Sequence, residues 1–485
     1  MTTERTPESP PATIPDHGRH DGQHEGKHEG KGAGEESLAP QQTRIMGKTS
    51  YLFAWMGGCV SIGTFTMGSS LVGTLNLVQA IVAMVIGCVV ITVGLTINGA
   101  AGHRWGIPFM VQVRSSFGFV GTRIPGLVRA LPALVWYGFQ SWVGAMAINS
   151  IADTLFGFSN IVLFFILFQA LQIALSVAGF QGIKWLENIG AVFILCALIY
   201  MFFSVIDRYG TELGESLDAQ GSWGLPFWGA TMLFLGIYAT MMLNVSDYSR
   251  EHSTSSGPAT MFSLYTAAIL PVTLFMGLIG LMVSEATGVV DPIDVFSNAV
   301  DNTPLLVITL LFIAFAQVTT NVLNNVVPPT YVLMDMFGMK FRTAAVLVGV
   351  LAPATFPWLL VRDENADGLQ TFVQIYSAFL GPIFAVMVVD YYLVRRRRLE
   401  IDELYDPRGP FRGVNWAAVV AVVVGVLITL PFSDVGWYVS LVPAALVYWV
   451  LMRTLPSSRR FLAGTDAAAV VAPEIQDPTT QKERA

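Results

Sequence analysis

The chain has 485 residues, of which 53% are hydrophobic and only 13% charged, with a formal net charge of -7. Charges cluster in short segments between long apolar runs, a pattern that excludes an ordinary soluble domain and describes a polytopic membrane protein in contact with the lipid bilayer. With no basic domain, nothing points to nucleic acid as a partner. Runs of about 20 apolar residues predict about twelve spans, near residues 50–73, 77–99, 124–151, 160–180, 186–206, 225–246, 259–284, 304–327, 342–361, 370–394, 414–431 and 434–452.

Residues 1–45 are polar, rich in Gly, Pro, Glu and His, and predict a disordered tail without the apolar core of a cleavable signal. His17, His20, His24 and His28 alternate there with Gly and charges, as in a solvated low-complexity tail or a weak transition-metal site. The first span holds Met56-Gly57-Gly58-Cys59-Val60-Ser61-Ile62-Gly63, whose paired glycines weaken a helix at mid-depth. In the third span Trp136 and Gln140 are four residues apart, which puts an aromatic ring and a primary amide on one helix face, suited to a planar, amide-bearing ligand. An unpaired amide that deep in an apolar run is costly. The sixth span carries Gly229, Gly236, Ile237 and Tyr238, a second weak point five spans after the first. Matching weak points predict two inverted five-helix repeats with discontinuous helices 1 and 6 at the midplane, over 46–206 and 207–398.

The eighth span is the most polar, with Gln317, Thr319, Thr320, Asn321, Asn324 and Asn325 ahead of Pro328 and Pro329. Hydroxyl and carbonyl oxygens suit a hard cation such as sodium, and Asn325 lies about two turns beyond Thr319, placed to meet a polar ligand. In the tenth span Gly381-Pro382 predicts a bend. A loop and two further helices follow over 399–455, then a tail over 456–485. Cys59, Cys88 and Cys196 lie in apolar spans without metal-ligand spacing and read as small buried residues.

Arginine and lysine fall on alternate loops (Arg104, Arg114 and Arg123; Lys184; Arg250; Lys340 and Arg342; Arg395 to Arg398; Arg453, Arg459 and Arg460), which predicts that both termini are cytoplasmic in a cell-membrane protein. The Arg395 to Arg398 block reads as a topological anchor. The acids Asp153, Glu187, Asp247 and Asp390 lie near span ends, and Asp247 and Asp390 read as caps or loop partners of nearby arginines.

With Trp136 and Gln140, the weak first span and Thr319 to Asn325 in view, the chain resembles the nucleobase:cation symporter-1 family, permeases for cytosine, uracil, purines, allantoin, hydantoins and thiamine-type substrates. The resemblance runs from about Thr49 to Leu455. It includes Arg104-Trp105-Gly106-Ile107-Pro108-Phe109, Asn244-Val245-Ser246-Asp247-Tyr248-Ser249-Arg250, and Asp390-Tyr391-Tyr392-Leu393-Val394-Arg395. It implies an all-α fold of the leucine transporter type, an inverted five-plus-five repeat with two extra C-terminal helices. It also implies stacking of substrate on Trp136 and hydrogen bonds from Gln140 and Asn325. A second stacking tryptophan of the family falls on Tyr238, and a first-helix glutamine of hydantoin carriers falls on Ser61. For members that bind sodium it implies ion ligands from the carbonyls of Gly57, Val60 and Ala316 and the hydroxyls of Thr319 and Thr320. The expected activity is secondary active transport of a planar heterocycle with a cation, sodium or a proton, and with no other cofactor.

An enzyme is not expected: the histidines outside the tail, His103 and His252, are at loop positions, and there is no HExxH and no Ser-His pair. No filter repeat suggests a channel. Carriers of an amino acid or a quaternary amine on the same fold are the rival readings, and the amide pair Gln140 and Asn325 argues against both. Oligomeric state is not legible in the chain.

Overall fold

In the computed structural model the apolar runs become helices whose ends follow ordinary capping chemistry. The structure describes residues 38–177, 196, 199–200, 202–211, 220–288, 293, 302–360, 366–462 and 465. Among the described residues, helices of eight residues or more include α1 Lys48–Cys59, α2 Ile62–Ser69, α3 Leu77–Trp105, α4 Arg123–Phe156, α5 Ile161–Val177, α6 Leu225–Leu243, α7 Pro258–Thr287, α8 Thr303–Asn321, α9 Val327–Phe337, α10 Phe341–Leu351, α11 Ala366–Val388, α12 Trp416–Thr429 and α13 Gly436–Thr454. Asn76 shows the starting signal. Its side chain accepts from the Gln79 N–H at 2.9 Å, and the Gln79 side chain accepts from the Asn76 N–H at 3.3 Å, so two orphan donors at the head of α3 are satisfied reciprocally. Gly106, at φ 73°, ends the same helix in the left-handed region that glycine enters at no steric cost.

α4 lies along α8 and α5, α7 along α1, α2 and α3, and α11 lies against α6, α12 and α13. The first span breaks as its composition predicts: α1 stops at Cys59, Val60 and Ser61 leave helical geometry, and α2 begins at Ile62. The sixth departs from expectation in position. α6 runs unbroken through Gly236 and Tyr238, and helical geometry is lost only at Asn244, before a short turn over Ser246–Ser249. Gly236 serves close packing instead, because a Cβ there would sit 2.7 Å from Val373 Cγ1 on α11.

The eighth span does not end at the prolines. A π-turn over Val322–Val326 joins α8 to α9, and the helix continues through Pro328 and Pro329 to Phe337. Pro328 has no N–H to offer the Asn324 carbonyl, and the Arg129 guanidinium donates to that oxygen instead at 2.7 Å. Prolines survive in a membrane helix where another group satisfies the freed carbonyl. The ninth span is not one helix either, since α10 gives way to a 3-10 turn and then to Phe356 at φ 53°. Gly381-Pro382 does not interrupt α11; this pair sits against α12 and α13, and a Cβ at Gly381 would lie 2.6 Å from Ser440 Oγ. The expected span 186–206 lies mostly outside the described residues, as do His17, His20, His24, His28, Lys184 and Glu187.

Residues 38–45, expected as the end of the tail, are bonded to the bundle. The Gln41 N–H donates to the Gly106 carbonyl at 2.8 Å, its side chain donates to Glu251, and the Tyr405 hydroxyl donates to the Leu38 carbonyl. A polar composition does not preclude order when a folded body supplies the partners. Within the Arg395 to Arg398 block, Arg395 is buried, with Nε 2.7 Å from Asp390 Oδ2, while Arg396 to Arg398 are exposed. Asp390 also accepts from Ser115 and Tyr448, and the buried carboxylate is thereby satisfied. Cys59 and Cys88 are buried, whereas Cys196 is exposed on the helix surface.

His252 lies in the loop after α6, buried, its ring stacked at 5.8 Å on His103. Burial, followed by the His103 charge, lowers its pKa to about 4. A folded-state pKa below the unfolded value means that the unfolded chain takes up the proton first, so stability is complete above about pH 6.5 and is lost as pH falls toward 4. Thermal unfolding in detergent is expected to show a midpoint that drops across this window in the wild type and less steeply in His252→Gln. Equal slopes for the two proteins would remove His252 as the cause.

Candidate functional site

Helix breaks and bulges leave backbone groups without partners, and the buried polar residues of this chain gather where that happens. At the α1–α2 break, the Gly57 carbonyl takes a 3.3 Å backbone bond from the Val60 N–H. Ser61 caps α2 by accepting from the Gly63 N–H at 3.2 Å. The Thr320 hydroxyl of α8 reaches across to this break, 3.0 Å from the Gly57 carbonyl and 2.8 Å from that of Val60. The neighbouring Thr319 hydroxyl turns back along α8 and donates to the Ala316 carbonyl at 3.1 Å. The five oxygens foreseen for an ion thus fall into a cross-helix group of three and a pair on α8. All are neutral, hard donors, a set suited to an alkali cation and unsuited to a soft metal. Among the described residues no group of three or more His, Cys, Asp or Glu side chains could hold a metal.

Beside this oxygen cluster a cavity of about 30 Å³ is lined by Ser61, Trp136, Gln140, Tyr238 and Asn325, together with Gly58, Ile237, Thr240, Met241, Thr320 and Asn324. The structure therefore brings all five foreseen ligand-facing residues to one place, from α4, α6, the α1–α2 break and the π-turn after α8. Their polar groups bond one another. Gln140 donates to Ser61 Oγ at 3.2 Å, and Asn325 donates to Gln140 Oε1 at 3.3 Å and to Asn321 Oδ1 at 2.7 Å. The Trp136 ring packs edge-on to Phe139 with centroids 5.6 Å apart and tilted to Phe372 at 6.2 Å. Gly63 lies beneath it, where a Cβ would be 2.5 Å from Trp136 Cη2. The Tyr238 hydroxyl points away from the amides, paired with Thr273 at 2.9 Å and donating to the Cys59 carbonyl at 3.3 Å, which locks the ring with its apolar body toward the cavity. Such a cavity has room for about two waters. A ring compound enters only when these helices separate and its own donors and acceptors replace the Ser61–Gln140–Asn325 bonds.

Sequence reasoning passed over two residues here, Arg129 and Tyr376. Arg129, a charge inside the third apolar run, is fully buried. It donates to Asn244 Oδ1 at 2.6 Å as well as to the Asn324 carbonyl, and so ties α4 to the end of α6 and to the π-turn. An arginine within a membrane span is itself a functional signal, and it was present in the chain to be read. Asn244 in turn donates to Asp247, which also accepts from the Phe109 N–H at 2.8 Å; Asp247 is thus a buried partner of the backbone and of Asn244. Tyr376 on α11 accepts from Trp136 Nε1 at 3.4 Å and donates to the Gly236 carbonyl at 3.1 Å. No motif announces it, because its role depends on where α11 lies.

Helices long and apolar enough to cross a membrane, a broken first helix and a cavity of amides and aromatic rings together suit a membrane protein that binds a small polar ring compound within its bundle. The family model described as permease for cytosine/purines, uracil, thiamine, allantoin matches residues 39–451, and the chain belongs to that family. Among curated relatives, a hydantoin permease of Microbacterium maritypicum is 29% identical over 427 residues, covering 84% of this chain and 86% of that protein. An allantoin permease of Bacillus subtilis (strain 168) is 27% identical over 480 residues, covering 90% and 96%. The solved structure of Mhp1, a nucleobase-cation-symport-1 family transporter in a closed conformation with bromovinylhydantoin bound, superposes with a TM-score of 0.79 at 27% identity, over 88% of this chain and 98% of that one. The fold is accordingly the inverted-repeat fold of the leucine transporter type.

Proposed function

We propose that this protein is a secondary active transporter that imports a planar, neutral heterocycle of the cytosine, uracil, allantoin or hydantoin class together with sodium. The ring sits between Trp136 and Tyr238, and its amide edges are read by Gln140 and Asn325, with Ser61 as a further contact. The observation that carries the substrate class is the convergence of two aromatic rings and two primary amides on one cavity. Each primary amide offers both a donor and an acceptor, which matches a ring bearing adjacent C=O and N–H groups. Stacking contributes about 1–3 kcal/mol per face whatever the ring, so selectivity falls to the amides. Relatives named as hydantoin and allantoin permeases support the same class.

Sodium is favoured by the Thr320 hydroxyl, which lies between the carbonyls of Gly57 and Val60. An ion held there, with Thr319 and Ala316, would couple the broken first helix to α8, and both elements line the cavity. Binding of ion and substrate would then reinforce one another by linkage. One sodium ion entering down about 100 mV supplies about 2.3 kcal/mol and a tenfold gradient about 1.4, enough for roughly a few hundredfold accumulation of a neutral solute. The distribution of arginine over alternate loops supports a cell-membrane protein with both termini in the cytoplasm.

The test is ligand-induced thermal stabilisation of the purified protein against nucleobases, allantoin, hydantoins and thiamine precursors, in sodium and in potassium. A shift for one ring compound that grows with sodium is expected, with Thr320→Ala raising the sodium concentration needed for half the effect. A ring-dependent shift that ignores sodium would transfer the coupling to protons. A response to glycine betaine or an amino acid instead of any ring would overturn the substrate class.

A further inference from the structure

A second cavity, of about 360 Å³, opens at the arginine-rich end of the bundle, away from the Trp136 site. Its walls come from the C-terminal turns of α3, the start of α7 and the chain after α11, and they include His103, Arg104, Ser256, Tyr391, Tyr392 and Arg397. The lining contains no carboxylate. Among the described residues neither Arg104 nor Arg397 has an acidic group within ion-pair distance, in contrast to Arg114, Arg250 and Arg395, which pair with Asp335, Glu251 and Asp390. The two arginines are held by groups that leave their charge uncancelled. Arg104 lies over the Trp105 ring at 4.8 Å and donates to the Arg397 carbonyl at 3.4 Å, and Arg397 lies over the Tyr392 ring at 4.9 Å.

Backbone conformation contributes to this arrangement. Arg396 and Arg397 both adopt positive φ, 49° and 63°, a region that non-glycine residues seldom occupy. The Arg397 N–H returns to the Tyr391 carbonyl at 2.7 Å, so the chain folds back and keeps Arg397 on the cavity wall rather than continuing away with the helix. α7 begins at the same place, with Gly257 at its N-cap and no side chain capping it, which adds the positive end of a helix dipole. From Arg104 an apolar stripe runs down one face of α3 at helical spacing through Ala100, Thr96, Val93 and Val89. Val93 and Val89 are 42% and 41% exposed on the surface of the bundle.

We infer that this cavity binds the phosphate head group of an anionic lipid, held by Arg104 and Arg397, with the acyl chain lying on the Val93 and Val89 stripe. A basic, aromatic-walled pocket leading into an exposed apolar strip fits a phosphodiester that carries a hydrocarbon tail, and a free phosphate makes no use of the strip. The site is separate from the transport cavity and does not depend on the substrate assigned to it.

The test uses the full chain purified in a neutral detergent and titrated with phosphatidylglycerol, phosphatidylcholine, glycerol phosphate or inorganic phosphate, followed by native mass spectrometry and thermal unfolding. Phosphatidylglycerol is expected to stay bound and to raise the midpoint, and the other three are not. The double variant Arg104→Gln with Arg397→Gln is expected to weaken phosphatidylglycerol binding about 25-fold, from roughly a fivefold loss per arginine. Ala100→Phe, which fills the cavity without changing its charge, is expected to do the same. Unfolding midpoints without lipid that match the wild type exclude misfolding of either variant. Equal retention of phosphatidylglycerol by the wild type and both variants would overturn the site, and full stabilisation by inorganic phosphate alone would overturn a lipid as its source.

Discussion

Trp136→Ala is expected to lower affinity for the transported ring about 5- to 150-fold, the equivalent of one stacking face worth roughly 1–3 kcal/mol. Asn325→Ala should have the larger effect on selectivity. The Asn325 amide bonds both Gln140 and Asn321, so its loss removes a direct contact to the ring and also frees the Gln140 side chain to turn away. A site that reads a ligand by buried hydrogen bonds loses most of its discrimination when one of those groups goes. Specific uptake into proteoliposomes should become unmeasurable in the double variant. Both side chains line a cavity with room for water, which can solvate the groups left behind, so the unfolding midpoint is expected to change little. Saturable wild-type uptake in either single variant would remove that residue from the binding site.

Arg129→Leu is expected to act on the fold and on transport together. Its removal leaves Asn244 Oδ1 and the Asn324 carbonyl buried without their donor, at about 1–3 kcal/mol for each group. The loss of roughly 2–6 kcal/mol in total should appear as a clearly lowered unfolding midpoint. Because the Asn324 carbonyl belongs to the π-turn that also presents Asn325, ligand affinity should fall even where the protein remains folded. Arg129→Lys is expected to recover part of both losses, since an ammonium group reaches one acceptor but lacks the planar fork that spans two. Unchanged stability in Arg129→Leu would show that the π-turn holds its shape without this donor.

Much of this molecule follows from the order of its residues, because the bilayer imposes a strong and simple filter. Every backbone group in hydrocarbon must be bonded internally, so an apolar run of about 20 residues has little choice but helix, and most expected spans recur within a few residues. The break in the first span was legible for a local reason: Gly57 and Gly58 weaken the helix there, and Ser61 is ready to cap the next. Trp136 and Gln140 were legible because a four-residue interval on a helix fixes a shared face. The direction of Tyr238 was not, since Thr273 on another helix draws its hydroxyl away from the cavity. Nor was the fate of Pro328 and Pro329. Local chemistry ends a helix at a proline pair, whereas here a π-turn leads into the next helix and the Arg129 guanidinium, arriving from α4, takes up the carbonyl that Pro328 leaves free. Likewise Gly236 reads as a weak point in isolation and proves to be a contact surface for α11. Residue order by itself determined the spans, the first break and the chemical types available to a site. Tertiary structure alone decided which carbonyls Thr320 and Arg129 meet, because those partners lie on other elements and a hydrogen bond is made in space, without regard to distance along the chain.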